Sequence, residues 1–199
     1  MLKTIIRSTL TFLLISCTWV TNASMITTTF NSNNGHTGNM FDLTTFSNDL
    51  LITGLDVNLE NTIGSDVLID VYIKTGSYTG FENNASAWTL VSSSFGISSG
   101  TNNPTFIDIS DFYLEAAKSF GVYITTDDST MKYTNGANLF ENDDLQVVTG
   151  IGIGGLFGSA FNPRTWNGSI HYDVPEPSTI AIFLLGLCGL VISRNRKVQ

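Results

Sequence analysis

The chain has 199 residues, 42% of them hydrophobic, with 17 acidic against 9 basic side chains and a formal net charge of −8. All 17 carboxylates fall between Ser24 and Pro177, against the four cations Lys74, Lys118, Lys132 and Arg164, a formal charge of −13 for that segment. A surface of that sign repels phosphate backbones and anionic headgroups, which excludes nucleic acid as a partner.

At the N-terminus, Lys3 and Arg7 precede a mostly apolar run from Leu10 to Val20, and Thr21, Asn22 and Ala23 are small or polar. That order predicts an export signal over residues 1–23, an N-terminal signal helix handled by the Sec machinery and cleaved after Ala23. Leu14 to Cys17 also reads as a lipobox, in which Cys17 would be lipidated and become the first mature residue. Cys17 and Cys188 both lie in the terminal segments, so residues 24–173 can form no disulfide of their own. Packing must then stabilise this segment, whose length suits one domain.

Short β-prone runs follow: Ile26 to Asn31, Met40 to Phe46, Leu51 to Leu59, Val67 to Lys74, Trp88 to Phe95, Thr105 to Ile109, Phe120 to Thr126, Met131 to Thr134, Leu145 to Ile153 and Thr165 to Tyr172. Ile52 and Gly54 against Leu55, Val57 and Leu59, and Leu68 against Ile69, Val71 and Ile73, show the period of two expected of a half-buried strand. Turn chemistry separates the runs, as at Asn33-Asn34-Gly35, Asn102-Asn103-Pro104 and Asn142-Asp143-Asp144. Ile109 to Lys118 contains good helix formers and reads as a two-turn helical crossover. About ten strands predict an all-β fold, a single antiparallel β-sandwich of jelly-roll-like form over residues 24–173.

The chain closes with Val174, Pro175, Glu176, Pro177 and Ser178, an apolar run from Ile180 to Ile192, and then Arg194, Arg196 and Lys197. Thirteen apolar residues give a helix of about 20 Å, short of the roughly 30 Å hydrocarbon core, so a C-terminal hydrophobic helix over about 179–193 spans only with local thinning. The cations after the run put its far end in the cytoplasm. Together, Pro-Glu-Pro, a short apolar helix and a basic end resemble the PEP-CTERM sorting signal of Gram-negative bacteria, here over 174–199. The resemblance implies an inner-membrane intermediate recognised by an exosortase, removal of the helix, and delivery to the cell surface or an exopolysaccharide-rich matrix. An ordinary tail anchor is the alternative.

Within the domain, Gly38 to Leu43, Lys74 to Glu82 with Trp88, and Phe161 to Gly168 are similar to a β-sandwich module of secreted bacterial surface proteins. That resemblance implies fold and assigns no catalytic residue.

Chemistry-bearing motifs are few. Gly150 to Gly155 fits G-x-G-x-x-G without the strand-and-helix context a nucleotide needs. Gly96 to Gly100 fits G-x-S-x-G, but Thr101 to Pro104 follows in place of a helix. His36 and His171 are the only histidines, and no serine stands beside either in sequence. Two histidines and no cysteine within residues 24–173 leave few soft ligands for zinc, whereas Asp127, Asp128, Asp143 and Asp144 gather oxygen donors in turns and are the candidates for calcium. Trp88 and Trp166 are the candidates for stacking on sugars, the alternative being that both point into the core. The leading expectation is a non-enzymatic surface or matrix protein with a structural or adhesive role. A carbohydrate-binding module is the first alternative and a glycoside hydrolase the second.

Overall fold

Among the described residues thirteen stretches are extended: β1 (Asn22–Thr27), β2 (Asn34–His36), β3 (Gly38–Thr45), β4 (Leu50–Val57), β5 (Asp66–Thr75), β6 (Thr89–Ile97), β7 (Thr105–Leu114), β8 (Ser119–Thr125), β9 (Met131–Asn135), β10 (Leu139–Glu141), β11 (Leu145–Gly154), β12 (Ser159–Trp166) and β13 (Gly168–Val174). The structure, a computed structural model, describes residues 22–175. The expected N-terminal signal helix and C-terminal hydrophobic helix lie outside the described residues. Among the described residues no helix is long and apolar enough to cross a membrane.

The all-β, antiparallel expectation holds, and its division into two stacked sheets does not. Hydrogen bonds run unbroken through one sheet in the order β1-β13-β4-β7-β6-β5-β8-β3-β11-β12-β9-β2, with β10 added beside β11. The ladder curls into a half-barrel because bulges interrupt it at Ile52/Gly54, Val71/Tyr72, Val148/Ile151 and His171/Tyr172, and each bulge adds bend and twist. Curling brings strands far apart in the ladder around one interior. Leu50, Ile52 and Val57 of β4 share a core with Phe41 and Leu43 of β3, Val147 of β11 and Ile170 of β13.

The opposite, outer face carries a second and smaller core. Met40, Tyr123, Ile151 and Ile153 point outward from β3, β8 and β11 and are covered by Trp88. Loop residues fasten this cover. The Asp42 carboxylate accepts from the Ser77 hydroxyl at 2.6 Å and the Tyr78 amide at 2.9 Å, and the Asn83 side-chain amide donates to the Phe157 and Gly158 carbonyls.

Two elements differ from expectation for identifiable reasons. The helical reading of Ile109 to Lys118 fails because β7 runs to Leu114 and pairs along β4, with Leu114 opposite Leu50; tertiary pairing overrides a local helix preference. The single run from Thr165 to Tyr172 is two strands meeting at Asn167. β12 and β13 lie near opposite ends of the sheet order, so this one residue turns the chain from one end of the ladder to the other.

The corner is held by side-chain amides. Asn58 and Asn167 are fully buried. The Asn58 Oδ1 accepts the Asn102 backbone N–H at 2.7 Å, and its Nδ2 donates to Asn102 Oδ1 at 3.1 Å and Asn167 Oδ1 at 3.4 Å. Asn167 Nδ2 donates to Thr134 Oγ1 at 3.0 Å, and Asn102 sits at a φ of 63°, which asparagine tolerates better than most residues. Leaving a buried polar group unpaired costs about 1–3 kcal/mol. Asn58→Ala is therefore expected to lower the unfolding free energy of residues 24–174 by about 2–4 kcal/mol in urea denaturation, whereas exposed Asn103→Ala stays within about 0.5 kcal/mol of the parent.

Candidate functional site

β13 leads directly into the sorting segment. Its register with β4 continues to Asp173 opposite Leu51, Val174 is its last residue, and Pro175 follows at once. The end of this strand is pinned by Tyr172, whose hydroxyl donates to Asp144 Oδ2 at 3.0 Å and accepts from Asn142 Nδ2 at 2.8 Å. Burial, followed by the Asp144 carboxylate, pushes the Tyr172 phenol up to about 12. β1 lies beside β13, with the Thr27 and Ser169 hydroxyls 3.0 Å apart and the Thr28 N–H on the Gly168 carbonyl. The strands run in opposite directions, so the start of the domain and its end emerge together. Of the expected sorting residues, Val174 and Pro175 are described. Glu176, Pro177, Ser178, Arg194, Arg196, Lys197 and the helix over 179–193 lie outside the described residues, as do the signal segment through residue 21 and Cys17.

Both indoles expected to stack on sugars are inside. Trp166 is 1% exposed and lies flat on Phe41, ring centres 4.8 Å apart. Trp88 is 8% exposed, packs edge-on against Tyr123 and donates its Nε1–H to the Phe81 carbonyl at 3.0 Å. Neither presents a free aromatic face, because the interior of the curled sheet and the small outer core each need a large flat side chain.

The four calcium candidates occupy two separate turns. Asp144 receives the Tyr172 hydroxyl, and the Asn142 side chain caps the Asp144 and Leu145 amides. Asp127 and Asp128 border an open cleft of about 670 Å³ with Glu60, Asn61 and Ser65, and Asp128 Oδ1 accepts from Thr126 Oγ1 at 2.7 Å. Among the described residues, no group of three His, Cys, Asp or Glu side chains is placed to hold a metal ion. Asn142 and Asp144 use their polar groups to hold the turn before β11 and the end of β13.

The remaining motifs resolve into packing. In the Gly150–Gly155 run, a Cβ at Gly150 would fall 2.0 Å from the Met40 carbonyl oxygen, and one at Gly154 would meet the His36 ring. These glycines admit close neighbours. Ser98 is buried, and its hydroxyl bonds the Asn61 carbonyl and the Gly100 amide. His36 stacks on Phe161. His171 Nε2 pairs with Asp56 Oδ2 at 2.8 Å on the outer face, with the Phe106 ring edge-on to it. Sequence spacing gave no sign of that pair, whose members are 115 residues apart.

An acidic all-β domain whose last strand passes without a break into a Pro-Glu-Pro segment has the organisation of an exported protein with a C-terminal sorting signal. Residues 173–197 match the family model of the PEP-CTERM protein-sorting motif. The chain carries that motif, the signal of an exosortase substrate, and is an exported protein headed for the cell surface. No curated protein matches the chain. Among solved structures, the crystal structure of the infectious bursal disease virus VP2 subviral particle is similar at 13% identity and a TM-score of 0.27, over 89% of this chain and 50% of the viral one. The chain thus spans half the length of that protein.

Two measurements check the site. Trp88 and Trp166 are the tryptophans of residues 24–174; both are expected to emit at short wavelength and resist iodide quenching, and strong quenching would put an indole on the surface. Tyr172 has a raised folded pKa, so its contribution to stability is complete below the ordinary tyrosine value near 10 and is lost as pH rises to about 12. The alkaline stability loss in that window is expected to shrink in Tyr172→Phe, measured by urea denaturation at several pH values.

Proposed function

We propose that the protein is a non-enzymatic component of the cell surface or extracellular matrix, with a structural or adhesive role, that passes through an inner-membrane intermediate before an exosortase removes its tail. The carrying observation is the sorting motif at residues 173–197, which begins on the last strand of the domain. Val174 ends β13, so only Pro175 to Thr179 separate the folded domain from the apolar run.

The charge distribution supports the same reading. Carboxylates outnumber Lys and Arg 17 to four between Ser24 and Pro177, which keeps such a domain soluble and away from anionic headgroups once released. The carbohydrate-binding alternative rested on Trp88 and Trp166, and burial of both removes its particular support.

Mass spectrometry of the native protein, recovered separately from surface, secreted and membrane fractions of its host, tests the proposal. The expected product begins at Ser24 and ends near Pro177 in the surface or secreted fraction. A protein that keeps its apolar tail and stays in the inner membrane would overturn the processing step and the matrix location together. Deletion of the coding sequence is expected to weaken cell aggregation, and unchanged aggregation and surface adhesion would refute the adhesive role.

A further inference from the structure

The outer face of the sheet is covered over only part of its width. Trp88 and the loops fastened to Asp42 and Phe157 close the face over β3, β8 and β11, and the cover reaches Tyr72 of β5. Beyond it, the outer face of β6 and β7 is bare among the described residues, yet it is apolar. Phe95 is 71% exposed, Ile97 58% and Phe106 53%.

These side chains are contiguous. Gly96 pairs with Ile107, which sets Ile97 opposite Phe106 and Phe95 opposite Asp108 in the antiparallel ladder. Leu68 of β5 is opposite Phe95, and Asp66 is opposite Ile97. Asp56 of β4 is opposite Phe106. The result is an apolar centre flanked by exposed Asp66 and Asp108, while Asp56 beside Phe106 is buried and already paired with His171. β4, β6, β7 and β13 contain no Lys or Arg.

The exposure follows from the inside. A Cβ at Gly96 would fall 2.3 Å from Ile107 Cδ1, so the core side of β6 is already filled at this level by β7. Strand alternation then sends Phe95 and Ile97 outward. An exposed patch of large apolar side chains with a polar rim marks an interaction surface.

We propose that this face binds a basic protein partner whose contact surface carries apolar side chains ringed by lysine and arginine. Charge complementarity selects that occupant. A second copy of the chain would bring one aspartate rim against another. A glycan gains from flat rings flanked by amides, whereas aliphatic Ile97 and Leu68 share this centre and its rim is carboxylate. The partner's apolar side chains would cover Phe95, Ile97 and Phe106, and its cations would meet Asp66 and Asp108.

The test uses residues 24–174, which lie within the compact unit Ala23–Val174 and contain the strand positions that form both cores. Binding is measured for two synthetic peptides of about ten residues, one alternating leucine with lysine and one alternating serine with lysine, so that charge is equal and only the apolar face differs. The leucine peptide is expected to bind at least about tenfold more tightly. Phe95→Ser with Phe106→Ser should abolish that preference while leaving the melting temperature near the parent's, since both sites are exposed. Asp66→Asn with Asp108→Asn should weaken binding and flatten its dependence on salt.

Equal binding of the two peptides would overturn the proposal, as would a preference that survives the phenylalanine substitutions. Dimerisation in sedimentation analysis that Phe95→Ser abolishes would assign the face to a second copy. Binding of a glucosamine hexamer that Phe106→Ser abolishes would assign it to a glycan. Either result would overturn the basic-protein assignment. The measurement is independent of tail processing, so an unprocessed protein that prefers the leucine peptide would refute the matrix reading and leave this one intact.

Discussion

A cluster of three asparagines, two of them fully buried, decides how this sheet can close. Between Trp166 and Gly168 the chain must leave one end of the ladder and join the other, and a strand that turns within a single residue loses backbone partners on both sides. Asn58, Asn102 and Asn167 replace them with side-chain amides: those of Asn58 and Asn167 both donate and accept, and Asn102 accepts through its Oδ1. The neighbouring backbone follows the same centre: Lys132 N–H reaches the Asn58 carbonyl, and Ser32 donates to Asn102. An apolar residue at Asn58 would keep the packing volume and strand the polar groups, so the corner depends on hydrogen bonding more than on size. With no cysteine between Ser24 and Pro177, no disulfide shares that task.

From this corner the division of faces follows. The interior receives aliphatic side chains from both ends of the ladder together with Trp166, Phe41 and Tyr172. The outside is treated in two ways: an aromatic cover of Trp88, Phe157 and Tyr78 over one half, and bare strands on the other. Tyr123 shows the consequence of covering, since burial raises its phenol above the ordinary tyrosine value, while Phe95 and Phe106 show the consequence of leaving strands open. A sheet whose uncovered half were polar would need no partner to explain it.

Strand existence was legible wherever one face is apolar and the other polar. Ile69 and Val71 against Leu68 read correctly because their alternation matches their burial. The failures have a common physical origin: alternation says that two faces differ without saying which one faces inward. In β6 the apolar residues point out because Ile107 occupies the space inside Gly96. In β7 the helix-forming composition of Phe112 to Ala117 yields to pairing with β4. Asn167-Gly168 carries turn chemistry in the sequence, yet a turn this short between two β-prone stretches let Thr165 to Tyr172 read as a single strand. Trp88 and Trp166 illustrate the same limit at a candidate site, where polar neighbours in sequence surround indoles that are buried in space. The sorting segment was legible throughout, since its recognition rests on the order of Pro-Glu-Pro, apolar run and cations along the chain.

The pairing of β1 with β13 also sets a schedule for the molecule. Thr27 meets Ser169 across 142 positions of sequence, so the first strand to cross a membrane in an unfolded chain waits for nearly the last before it can join the sheet. Contacts of such separation form late and slowly. By the time Gly168 to Val174 becomes available, the Pro-Glu-Pro segment is next in line, and completion of the domain coincides with arrival of the sorting signal. Closure of this edge of the sheet therefore has to wait until Gly168 to Val174 is available, whatever the rest of the ladder has already paired.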